Sequence, residues 1–489
     1  MAQLAPEVEH LYRRAGFGLS AADRQQLDDG QGYRNLVDGL LVFDPSATDV
    51  DGLIGTPGHV GITTSGPFSP NVNIAHARQR WLFRMVHSPA PLQEKMALVW
   101  HQHFATAYSK INGTYGGADG TRLMAGKASE DPVGQQGQIE TLRGLGLGRF
   151  EDLLIAMARD PAMLIWLDGR TNVKAVPQEN FGRELMELFT FGVDHYVETD
   201  VYAAARAFTG WNLRIVGTTG LGTAAYSFTY NASQHDVASK DFSFPLYSRG
   251  TSNAYRIPAR SGAAGVQDGL DLIHALAFHP ETARRLAGRF WTWFVSETEA
   301  PHDRFVQSIA KVYLDNGTSI RAVMRAVLTS PEFQDARQYY QRYAWPAEFV
   351  VRSLKEVGYL GFSVNDALTP MLNMGQQLLE PPDVNGWELG PPWFSTGGML
   401  ARMNFASQLA TNQRGALRDA ARPFNSAPEQ LIEFAIGKLS LPPLDTDVSN
   451  TLLTYIRAGG AWTGSDTQLL AKSPGVIHLL AGSGEYQFV

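Results

Sequence analysis

Apolar residues recur at three- and four-residue spacing through most of this chain, in runs stopped by Ser-Pro, Asp-Pro or Gly, and that period commits it to packed helices. Leu11–Leu27 reads as a helix, a break at Gly16-Phe17-Gly18, then a second helix started by Ser20 and Asp23. Ala75–His87 and Pro91–Thr106 carry the period on either side of Ser88-Pro89. It returns over Phe150–Trp166, interrupted at Asp160-Pro161, and over the run opened by Pro177 and continued to Phe191, where Gly192 supplies a C-terminal cap. Thr199–Thr209 follows, with Thr199 at the N-cap. Further helices are predicted over Val266–Phe278, Glu281–Val295, Asp303–Asp315, Ser319–Leu328, Trp345–Val357, Leu368–Leu379 and Gly398–Thr411, and in the tail from Glu429.

The period fails twice. Asp44–Asn73, rich in Gly, Pro, Ser and Thr, reads as a long loop of the kind that is functional or mobile in compact domains. Between Asn212 and Arg260, the segments Ala225–Tyr230 and Asp241–Leu246 alternate like short strands. The predicted fold class is mainly α, a large multi-helical body with a small β-hairpin excursion around residues 212–260. Residues 1–211 form an N-terminal helical half, 212–265 the excursion, and 266–489 a C-terminal half packed with the first as one body.

Composition narrows the chemistry. Forty-one basic residues against 48 acidic ones leave a net charge of -7 and no basic stripe to neutralise a nucleic-acid backbone. There is no cysteine, which removes disulfides, thiolate nucleophiles and cysteine-bound zinc or iron–sulfur centres. A nucleophile must then be oxygen or nitrogen, and a metal must rest on His, Asp, Glu or backbone oxygen. No apolar run approaches the ~18 residues of a spanning helix. Met1–Leu11 lacks the basic and then apolar pattern of a signal peptide, so the chain reads as soluble and unexported. No phosphate loop, dinucleotide or flavin fingerprint, nucleophile elbow or zinc-binding helix motif is found.

Candidate chemistry gathers after Pro177. Glu184 and Glu187 stand three apart, so on one helix their Cβ atoms lie ~5–6 Å from each other on one face. Such a pair can ligate a metal, or its mutual repulsion can raise one pKa for general-acid work. A salt-bridge knot with Arg183 and Arg206 is the packing alternative. Glu198 and Asp200 open the next helix, where the macrodipole favours carboxylates; Glu198 reads as a cap, Asp200 as a cap or a catalytic acid. His101 and His103 cannot share a face, and His103 is either a ligand beside the two glutamates or a packed core histidine. His235-Asp236 and Lys240 fall in the irregular excursion, where positioned polar groups commonly serve a site. Trp387 and Trp393, in the loop Glu380–Ser395, are either stacking platforms for sugars or plugs in the helical core.

The run Asn180–Gly192, then Tyr196, Glu198, Asp200-Val201 and Ala205–Trp211, closely resembles the signature of a bacterial family known as domain of unknown function 1800. Arg13–Gly18, Trp100 with His103-Phe104, His235-Asp236 with Lys240, Ser330–Phe333 and Pro381–Trp387 agree, so the likeness runs nearly end to end. Gln178 and Gly182 stand where Asn and Ala are expected, a change of packing more than of chemistry. The resemblance implies the fold family and leaves the reaction open. It also implies export through twin-arginine-type signals, which the first residues here do not carry, and a phosphatase- or sulfatase-like protein partner.

The expectation is a carboxylate-dependent hydrolase, with or without a divalent metal, acting on a polysaccharide or similar polar polymer. Glu184, Glu187, Asp200, His235 and Asp236 are the candidate catalytic groups. Asn180, Arg183, Trp211, Lys240, Asp383, Trp387 and Trp393 are the candidate substrate contacts, and His103, Glu184 and Glu187 the candidate metal ligands. Two other classes fit the same residues: a non-catalytic binding or assembly partner of an exported enzyme, and a metal-dependent redox protein.

Overall fold

A computed structural model describes residues 4–27, 32–218, 224–248 and 251–489. Helices dominate them, and the X-Pro breaks of the sequence prove to be starts as well as stops. Pro91, Pro161, Pro280, Pro331, Pro346 and Pro428 each open a helix, where a missing N–H costs nothing. The residue before the proline often caps. Asp160 accepts the Met163 N–H at 2.8 Å, dividing the predicted Phe150–Trp166 helix into Phe150–Arg159 and Pro161–Trp166. Ser330 accepts the Phe333 N–H at 3.1 Å.

Some predictions shift. The helix expected at Leu368–Leu379 is Asn365–Asn373, and left-handed turns at Gly375 and Leu379 end its run. Thr199 is not an N-cap, because the helix Glu198–Ala207 begins one residue earlier and Asp200 reaches back to the Val197 N–H at 2.8 Å. Tyr33–Leu41, Tyr108–Tyr115, Gly117–Ala125, Gln138–Leu145 and Arg414–Ala421 are helices that the period did not reveal. Asp44–Asn73 is a loop with two short 3-10 turns, and it is tied down. Asp51 takes two bonds from Arg84, each 2.7 Å, and Gly61 exchanges backbone bonds with Phe362 and Val364.

The excursion is two hairpins rather than one. β1 (Trp211–Thr218) pairs antiparallel with β2 (Ala224–Tyr230), and β3 (Lys240–Ser248) with β4 (Thr251–Ile257), in separate two-stranded sheets. Residues 219–223 and 249–250 of the predicted excursion, and 1–3 and 28–31 of the predicted N-terminal half, lie outside the described residues. β3 packs on the helices Glu198–Ala207 and Val266–Ala277, which sets the excursion against the end of the signature run.

One cluster of buried apolar side chains runs from Leu11 to Val489. Buried arginines stitch its early and late parts together. Arg14 donates to Phe294 O and Gln338 O, and Arg352 to Leu439 O and Phe488 O. Buried guanidinium groups need such partners, since an unpaired buried charge is strongly destabilising. Among the described residues, no helix is long and apolar enough to cross a membrane.

Candidate active site

The signature run begins as the α-helix Asn180–Glu184 and widens at Leu185–Phe189 into a π-helix. A π-turn frees carbonyls from the ordinary ladder, and such turns are frequent at functional sites. Here four donors collect them. Thr190 Oγ1 donates to Leu185 O at 2.6 Å and the Gly192 N–H to Met186 O at 2.9 Å. The Arg285 guanidinium donates to Glu187 O, and His103 Nε2 to Phe189 O at 3.1 Å. The inner face, Phe181, Leu185, Met186 and Phe189, is buried. Gly182 seats this helix on its neighbour, because a Cβ there would lie 2.9 Å from Ala204 Cβ. The glycine that departs from the family pattern thus permits a closer helix–helix approach.

The outer face carries Asn180, Arg183, Glu184 and Glu187. Glu184 is half-buried, and its carboxyl has no hydrogen-bond or ion-pair partner among the described residues. Burial, then the Glu187 charge, pushes its pKa up against a smaller opposing pull from Arg183. Glu187 accepts a hydrogen bond from Tyr196 OH. Burial and that bond hold the Tyr196 phenol up at about 12, so it remains a donor. Arg183 reaches Glu198 at 2.5 Å and Glu179 at 3.4 Å, while Arg206 grips Asp236 at 2.7 and 3.1 Å. The expected knot of both arginines around the two glutamates therefore does not form.

At the start of the helix, Asn180 Nδ2 donates to Asp168 at 3.0 Å, and Lys110 Nζ donates to Asp168 at 3.1 Å and to Trp166 O at 2.6 Å. Asp168 holds a left-handed backbone, φ 59°. The half-buried Trp166 ring lies 5.7 Å from Lys110 Nζ. Tyr196, Lys110, Asp168 and Trp166 extend the polar band around Glu184, and the site reading of the sequence missed all four. Only Tyr196 carried a signal, as part of the signature.

Other candidates are placed elsewhere. Asp200 is buried and takes Ser243 N–H at 2.7 Å and Ser243 Oγ–H at 2.6 Å besides its cap, which tethers β3 to the helix. His235 and Lys240 are buried with Asp268, a residue the sequence reading did not single out. His235 Nε2 lies 3.2 Å from Asp268 Oδ2, and its Nδ1 is 2.8 Å from Thr209 O. Lys240 donates to Asp268 and to Asp236 O, and Arg260 donates to Asp268 at 2.7 Å. His235, Asp236 and Lys240, expected as catalytic or substrate-holding groups, instead close a buried electrostatic lock in which each is bonded within the protein. Gly265 makes room for it, since any Cβ there would collide with Tyr230 OH and the His235 ring.

The tryptophans are plugs rather than platforms. Trp387 and Trp393 are 5% and 3% exposed and border a 240 Å³ cavity of their own. Gln102 fixes Trp387 by accepting its N–H and donating to its carbonyl, both at 2.8 Å. Trp211 is buried against Phe208 and Phe228. Asp383 is exposed and accepts the Asn385 N–H at 2.8 Å, an Asx turn.

His103 sits buried among Trp100, Phe104, Phe150 and Trp293. Burial, with Arg289 and Arg285 nearby, holds it well below the ordinary histidine value. It fastens the π-turn rather than joining Glu184 and Glu187 as a ligand. Among the described residues, no three His, Asp or Glu side chains converge to hold a metal ion.

A family described as a protein of unknown function, DUF1800, matches residues 10–488. No curated protein and no solved structure matches the chain.

Proposed function

The chain belongs to the DUF1800 family, and within it we propose a carboxylate-dependent hydrolase acting on a polysaccharide or similar polar polymer. One observation carries the reading. Glu184, with its raised pKa and no partner, stands beside Glu187 on the segment fastened by four separate donors. A carboxyl held protonated near neutrality can give its proton to a leaving oxygen. Glu187, oriented by Tyr196, is the basic partner that activates water or attacks the substrate carbon. Carboxyls one helical turn apart, at ~5–6 Å between Cβ atoms, suit the closely spaced pair of a retaining glycosidase better than the wider inverting pair. The band from Lys110 through Asn180 to Arg183 is open rather than enclosed, which suits an extended chain.

The test is release of reducing ends from a panel of purified polysaccharides by the wild type, Glu184→Gln and Glu187→Gln. Turnover should fall by about 10²–10⁴-fold in each variant, with retention of anomeric configuration in the wild-type product. Turnover that survives both substitutions would remove the carboxylates from the mechanism. One observation favours a binding or assembly protein instead. His235, Asp236, Lys240 and Asp200 are all bonded internally, leaving Glu187 as the one acid–base partner named here for Glu184. Glycan binding without turnover on the same panel would select that reading.

A further inference from the structure

Away from the carboxylate face, a cavity of 760 Å³ opens where the helix Pro6–Ala15, the turn after Ala336 and the helix Pro428–Lys438 meet. That volume is the size of a small-molecule site. Leu4, Tyr339, Tyr340, Phe424, Phe434 and Leu441 wall it. Its floor is polar and closely built around Ser440. Ser440 Oγ donates to Glu9 at 2.8 Å and accepts from Arg24; Ser440 O accepts from Tyr340 OH at 2.9 Å and Arg13 at 3.3 Å. Ser440 (φ 48°) and Tyr340 (φ 59°) both hold left-handed backbone. Each such residue costs on the order of 1–3 kcal/mol and persists where its surroundings over-determine it, commonly at ligand sites. Two of them, bonded to each other across a hundred residues of chain, share one cavity wall.

The charge around the cavity is acidic. Arg24 is committed to Glu9 and Ser440, and Arg13 lies over the Tyr340 ring, 4.2 Å from its centre. Glu433, which lines the cavity, has no cation partner among the described residues, and Glu7 lies close enough to Tyr339 to help push its phenol up. Aromatic faces attract cations through their quadrupole, apolar walls take a hydrocarbon body, and carboxylates hold the charge. We propose that this cavity binds an organic cation with an apolar body, an alkyl- or arylammonium, at a site separate from the carboxylate face and independent of the hydrolase reading.

Dodecyltrimethylammonium, dodecyl sulfate and dodecyl maltoside share one chain and differ in head group. Calorimetric titration of the full chain with each, below its micellar concentration, should show the ammonium binding about 10-fold or more tightly than the other two. Gly437 lines the cavity, and a Cβ there meets nothing within 4 Å, so Gly437→Trp fills the space without displacing the fold. That variant should lose ammonium binding at an unchanged melting temperature. The exposed Glu433→Gln should weaken the ammonium several-fold and leave the maltoside alone, which keeps the test decisive should the tryptophan variant misfold. Sulfate or maltoside binding as tightly as the ammonium would overturn the proposal. So would no ammonium binding, or binding that persists in a folded Gly437→Trp.

Discussion

The signature helix and the excursion beside it use the same residue types to opposite ends. In the excursion, Asp268 is surrounded by His235, Lys240 and Arg260, and burial is offset by direct charge-assisted bonds. On the signature helix, Glu184 is half-buried beside a second carboxylate and lacks a partner. The first arrangement holds the chain together; the second stores an unfavourable interaction that protonation relieves. What separates a structural acid from a chemical one here is the pairing, and the pairing is invisible in the local sequence.

The largest expected effect lies in the lock. Asp268→Ala leaves Lys240 and His235 buried without their carboxylate and should cost about 3–5 kcal/mol in urea unfolding. Glu184→Gln, by contrast, should change stability by no more than about 0.5 kcal/mol. Equal losses in the two variants would erase the distinction.

The pH dependence sharpens the comparison because the two signs oppose. Asp268 is held below the ordinary aspartate value by bonds from His235, Lys240 and Arg260, which outweigh the opposing effect of its burial. Its contribution is therefore present above that ordinary value and lost as pH falls through the lowered one. Glu184 is held above the ordinary glutamate value, so its contribution is complete below that value and lost as pH rises through the raised one. Unfolding curves from acid to neutral pH should show Glu184→Gln gaining on the wild type as pH rises, and Asp268→Asn falling further behind. Parallel curves for the two variants would contradict both assignments.

The smallest effect belongs to the hydroxyl that links the two acids to their surroundings. Tyr196→Phe removes one bond to Glu187 and should cost about 1 kcal/mol in thermal unfolding. If Glu187 depends on that bond for its orientation, turnover should fall more than stability does. A Tyr196→Phe enzyme with wild-type turnover would leave Tyr196 only a structural role.

Much of this fold was legible because helical period and X-Pro punctuation are local signals. The helices at Pro91 and Pro161 start at those prolines. The second hairpin was half visible, since Asp241–Leu246 alternates while its partner strand, Thr251–Ile257, offers little alternation. The carboxylate pair was legible because two glutamates three apart on an apolar run need a reason. The fate of Trp387 was not, because a plug and a platform have the same composition. Gln102, 285 residues away, decides it. Lys110 and Asp168 were missed for the same reason, being brought to Asn180 by folding rather than by spacing.

The π-helix at Leu185–Phe189 makes this stretch sensitive to its own length. Its i→i+5 bonding holds one residue more in the turn than an α-helix would, so the chain beyond it is advanced by roughly 100° of winding. Remove a single residue there and the turn can close to α, swinging whatever follows Glu184 about the axis by that arc. Glu187 would leave its place beside Glu184, and the carbonyls now received by Thr190, Arg285 and His103 would return to the ladder. A length change that most helical surfaces absorb as a shift in phase would here exchange the inside of the helix for the outside.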